Sequence, residues 1–167
     1  MATLINFPES DEINPLDIVE SFAESLDWSL DRQSEDELTA SIPGDWCNFH
    51  LWCSWRPELG ALQLSCVLDT RIPEKSHGDL AMLLVRMNEQ MMVGHFDLWR
   101  DEGLVMFRHA LLLGPDGIVG DEQLSALFEI AFSECQRFYP ALQFMMWGGK
   151  SVEEALEAAL LEPMGEA

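Results

Sequence analysis

Two stretches of strict alternation, residues 46–56 and 61–70, constrain the fold of this chain more than anything else in it. On the first, Cys47, Phe49, Leu51, Cys53 and Trp55 share one parity, while Trp46, Asn48, His50, Trp52 and Ser54 share the other. On the second, Leu62, Leu64, Cys66 and Leu68 alternate with Gln63, Ser65 and Asp69. A period of two marks a strand with one buried face, because successive side chains point to opposite sides of a sheet. The loop from Arg56 to Gly60, with Pro57 inside it, makes the two strands a hairpin and therefore antiparallel neighbours.

Shorter strands are expected at 29–32 and 37–43, around Ser34-Glu35-Asp36, with Pro43-Gly44-Asp45 turning the chain again. The run 94–113 reads as another pair, joined by a tight acidic turn at Asp101-Glu102-Gly103. Elsewhere the period changes to that of a helix. Asn14 and Pro15 open a helix with a stripe of Leu16, Val19, Ala23 and Leu26. Leu80, Leu83, Leu84, Met87 and Met91 define a second helix over 76–93, with Gly94 as its closing residue. A third begins near Asp121 and carries Leu124, Leu127, Phe128, Ala131, Cys135 and Phe138, and Pro140 is expected to kink or end it. Ser151-Val-Glu-Glu154 is a capping box for a last short helix. Gly114-Pro-Asp-Gly117 reads as a turn, and residues 1–12 as a loose lead-in to a single domain over 13–164. The order α-β-β-β-β-α-β-β-α-α implies an α+β fold: an antiparallel sheet of about six strands with helices packed on one face.

Charge narrows the partners. Nine Lys and Arg face thirty Asp and Glu, for a net charge of −21. Binding to nucleic acid or to an anionic membrane relies on cations that displace counterions, so neither is expected. Acidity most often serves solubility, and its alternative use is to steer a basic partner. The first residues lack a basic region followed by an apolar core, and no apolar run reaches the roughly 18 residues of a membrane span. A cytoplasmic location with reduced thiols is the expectation.

The residues that carry chemistry elsewhere are poorly arranged for it here. Cys47, Cys53, Cys66 and Cys135 have no two-residue spacing of the zinc-binding kind, and all fall on expected core faces. His50, His77, His95 and His109 form no i,i+4 pair. Gly149-Lys150-Ser151 ends like a phosphate loop, but Phe144, Met145, Met146 and Trp147 stand where that loop must be small and open. No metal and no cofactor is expected. His95 and Asp97 share one side of a strand, as a base and its orienting acid would, and with Arg108 they define a candidate polar pocket. Trp46, His50, Trp52 and Trp99 define the other candidate: a sheet face that carries tryptophans opposite the helix-covered side, suited to a partner. Met82, Met87, Met91 and Met92 are expected in the core.

Four segments, Gly94-His-Phe-Asp-Leu-Trp99, Phe107-Arg-His-Ala110, Phe138-Tyr-Pro-Ala141 and Trp147-Gly-Gly-Lys-Ser151, resemble the YbjN family, associated with bacterial sensory-transduction regulation. The resemblance runs from about Asn14 to Met164. It implies a fold similar to type III secretion chaperones, and it brings no catalytic residues with it. The expected function is a non-enzymatic regulatory or chaperone-like module that binds an unidentified protein partner. The alternative is a small-molecule sensor or small enzyme built on His95, Asp97 and Arg108. Self-association as a homodimer is a further expectation, opposed by the charge.

Overall fold

The computed structural model describes residues 14–113 and 118–161. Its elements are α1 (Pro15–Ser25), β1 (Ser29–Ser34), β2 (Glu37–Pro43), β3 (Asn48–Arg56), β4 (Ala61–Arg71), α2 (His77–Asn88), β5 (His95–Trp99), β6 (Leu104–Leu112), α3 (Asp121–Met146) and α4 (Val152–Leu161). The expected lead-in at 1–12 and the turn at 114–117 lie outside the described residues.

The six strands form one antiparallel sheet in the order β1-β2-β3-β4-β6-β5. Alternation decides which side of it is covered. Phe49, Leu51, Cys53, Leu62, Leu64, Cys66, Leu68, Phe96 and Phe107 join the apolar residues of the helices in one core. Ring contacts fix the side: Phe49 meets Phe132 of α3 at 6.0 Å between centroids, and Phe96 meets Phe138 at 5.7 Å. The sheet residues of opposite parity therefore face away from α3.

Local chemistry explains the starts of α1 and α4. Asn14 Oδ1 accepts the Leu16 amide at 2.9 Å, and Pro15 occupies a position where a missing N–H costs nothing. At the start of α4 the capping box closes in both directions. The Glu154 amide donates to Ser151 Oγ at 3.2 Å, and the Ser151 amide donates to Glu154 Oε2 at 2.9 Å.

Several expectations are corrected. The second helix stops at Asn88 rather than Val93. The Asn88 side chain leaves the helix to hold β5: its Oδ1 accepts the Phe96 N–H at 2.7 Å and its Nδ2 donates to the Phe96 carbonyl at 3.1 Å. Gly94 is not that helix's cap but the entry to β5. Its φ of +72° favours glycine, and a Cβ there would run into the Phe107 ring. The third helix runs through Pro140 to Met146. Burial of Phe138, Tyr139, Pro140, Ala141 and Leu142 offsets the hydrogen bond that proline removes. Leu26 lies at the end of α1, 46% exposed, past the last turn that can pack. Met87 is fully buried, but Met82 lies on the outer face of α2 and Met92 lies beyond its end, and both are exposed.

Candidate functional site

The sheet face away from the helices gathers the predicted residues unequally. Cross-strand register sets Trp52 of β3 beside Ser65 of β4, and Ser65 beside Arg108 of β6. Arg108 pairs with His95 of β5, Met106 with Asp97, and Leu104 with Trp99. Trp52 and Trp99 are both half-buried, and they meet edge to face with centroids 5.7 Å apart. Two strands, β4 and β6, separate their backbones, so the rings reach towards each other over those strands. Met106 of β6 belongs to this face, takes no part in the helix-side core, and has no exposed surface. In register it lies between Val67 of β4 and Asp97 of β5, on the face that carries the ring pair. Ser65, 3% exposed, lies in register between Trp52 and Arg108. This face therefore has a small apolar centre of its own.

Beside the ring pair, a shallow trough of about 450 Å³ crosses β1 to β4. Its floor is shaped by the small side chains of Ser29, Thr39 and Ser41, with His50, Trp52 and Val67 along its length. His50 is exposed there.

Trp46 is not part of this face, and its placement is the main correction to the predicted site. The alternation extends to residue 46, but β3 begins at Asn48. The Gly44 amide donates to the Cys47 carbonyl at 3.0 Å, so Trp46 and Cys47 sit in a turn. The turn carries Trp46 to the helix side, against Ser133, Gln136, Arg137 and Pro140 of α3.

His95, Asp97 and Arg108 are brought together on the open face, but as a closed network. Arg108 Nη1 donates to Asp97 Oδ2 at 2.9 Å, and Asp97 Oδ1 accepts the Leu98 amide at 2.9 Å. With its amide oxygen turned towards Arg108, Gln63 accepts from Nη2 at 2.8 Å and from Nε at 3.0 Å. The guanidinium and the carboxylate are thus engaged with each other and their neighbours, and His95 stands exposed beside them. On the opposite parity of β6, His109 has its pKa lowered by partial burial and then by His95 nearby.

The cysteines are free thiols, three buried and Cys47 half-exposed. Burial pushes Cys53 up to about 12 and raises Cys47 and Cys135, the last helped by its hydrogen bond with Cys66. Thiols held protonated are poor nucleophiles and poor metal ligands. Among the described residues, no group of three or more His, Cys, Asp or Glu is placed to hold a metal ion, and no helix is long and apolar enough to cross a membrane.

Among the described residues, an antiparallel sheet with one face backed by helices and the other uncovered and bearing a tryptophan pair defines an open-faced α+β sandwich. The sequence profile described as "Putative bacterial sensory transduction regulator" matches residues 15–144, and the chain belongs to that YbjN family. A solved structure, described as the crystal structure of "YbjN, a putative transcription regulator from E. coli", is similar to this chain with a TM-score of 0.53. The similarity covers 86% of this chain and 90% of that one at 14% identity, which establishes the fold alone. Among curated proteins, none matches the sequence.

Proposed function

We propose that this protein is a non-enzymatic, chaperone-like regulatory module that docks a basic segment of a protein partner on the open face of its sheet. The observation that carries this reading is the Trp52–Trp99 pair on the same face as buried Met106, an apolar centre turned away from α3. Aromatic rings in such a setting are the usual anchors of protein interfaces, and the trough beside them gives an incoming side chain somewhere to go. The charge of −21 selects the partner's sign. The engaged state of Asp97 and Arg108 argues against acid–base chemistry at the alternative pocket. Four free thiols suit a reducing cytoplasm.

The test is site-specific photocrosslinking in the host cell. A photoreactive residue in place of His50, exposed on the face, is expected to capture a discrete protein. The same residue in place of Met82, exposed on α2, is expected not to capture that protein. Equal capture from both positions, or none from position 50, contradicts the proposal.

A further inference from the structure

The displaced Trp46 lines a second depression on the molecule. It is a groove of about 720 Å³ walled by α3, by α4 and by the turn between β2 and β3. Trp46 stands at its rim, 47% exposed, with Pro140, Ala159 and Leu160 along its apolar lining. Part of its polar lining is already engaged. Gln136 Oε1 accepts the Asp45 amide at 2.9 Å. Arg137, the one cation in the lining, reaches Glu134 at 3.4 Å and Gln90 at 3.1 Å. Among the described residues, the groups left over include two acceptors, the Asp45 carboxylate and the Gln136 carbonyl, to which Pro140 has no N–H to donate, and two donors, the Trp46 indole N–H and the Gln136 side-chain amide.

We propose that this groove is a second docking site, one that takes a cationic amphipathic helix of a partner polypeptide. Three features fix that chemistry. The walls are helices and a turn and offer no strand edge, so the occupant must satisfy its own backbone hydrogen bonds, as a helix does. The lining is apolar beside the Asp45 carboxylate, its one anion, while its one cation, Arg137, is already held, which matches an apolar stripe flanked by Lys or Arg donors. The charges beyond the groove have one dominant sign: α4 exposes Glu153, Glu154 and Glu157, and the chain as a whole carries −21. Trp46, half-exposed at the rim, would close over the apolar stripe as an aromatic anchor.

The test titrates the full chain with a Leu/Lys amphipathic helical peptide, and with its Leu/Glu counterpart, at physiological salt. Binding is followed by NMR at the Trp46 indole N–H and at the amides of Ser133, Gln136 and Ala159. The expected result is saturable shifts at those groups with the Leu/Lys peptide and none with Leu/Glu. Trp46→Ala should weaken binding on the order of tenfold, and Trp52→Ala should leave it unchanged. Ser133→Arg, at an exposed position and so tolerable to the fold, should abolish it and guards against a Trp46→Ala chain that fails to fold. Four results overturn the proposal. Shifts spread over the acidic surface with no effect of either variant mean charge attraction only. Shifts centred on Trp52 and Trp99 move the peptide to the sheet face. Concentration-dependent shifts at the groove without peptide give it to a second copy. Binding that requires removal of residues 162–167 gives it to the chain's own terminus. The sheet-face reading stands or falls separately, because its variants and its crosslinker sit at positions 50 and 52.

Discussion

Parity alone separates Phe49 from Trp52, three residues along one strand, and the two should respond to truncation very differently. Phe49 is fully buried against α3, so Phe49→Ala should cost about 3–5 kcal/mol in denaturant unfolding. Trp52 is half-buried and rests on Trp99, so Trp52→Ala should cost about 1 kcal/mol, the scale of one aromatic pair. Equal losses would remove the face assignment. Cys53 supplies a pH dependence. Its folded pKa, about 12, lies above its ordinary value of 9.0, so the unfolded chain loses that proton first. The stabilisation is fully present below pH 9 and fades as pH rises towards 12, by on the order of 4 kcal/mol. Unfolding midpoints measured across that range should fall less steeply for Cys53→Ala than for the parent chain. Parity is legible in the sequence for every residue within β3. It fails at Trp46 because a two-residue extension of an alternating pattern looks the same whether the backbone is still a strand or already a turn. Glycine at 44 and the Cys47 carbonyl that its amide reaches are the physical reason, and only the first is visible in the sequence.

Element ends show the same division between local and distant causes. The caps of α1 and α4 are readable because donor and acceptor lie within four residues of each other. The end of α2 is not, because Asn88 is drawn to Phe96 across the following loop. That side-chain amide serves β5 as a substitute neighbouring strand, and Asp97 Oδ1 covers the Leu98 amide beside it. An edge so occupied resists pairing with another chain. Asn88→Ala should therefore cost about 1–3 kcal/mol, the penalty of leaving strand groups unpaired, and should speed hydrogen exchange at Phe96 without changing it at Phe49. Unchanged exchange at Phe96 would show that the side chain does not hold the edge. Proline at 140 misleads for a related reason. Its helix-breaking preference is local, and the packing that overrides it, of α3 against α4 and the sheet, is tertiary.

At the scale of the whole molecule, the element order and the antiparallel sheet are fully legible, since they follow from period and turn chemistry. The strand order is hidden, because β6 lies between β4 and β5 in space, and no periodicity encodes which strand a hairpin presents to its neighbour. Charge governs association. Among the described residues, Arg32, Arg86, Arg108 and Arg137 are held by the chain's own carboxylates, which leaves an even more one-sided surface for others to meet. A homodimer joined through the tryptophan face must overcome that repulsion, so dimerisation should strengthen with salt while capture of a basic partner weakens. Light scattering that finds a monomer at high protein concentration and raised salt would exclude the dimer. The ring pair of the open face is the proposed anchor for a partner, and calorimetry with the protein crosslinked at position 50, once purified, measures that role. Trp52→Ala and Trp99→Ala should each weaken its affinity on the order of tenfold or more while the chain stays folded. Unchanged affinity in both folded variants would contradict it.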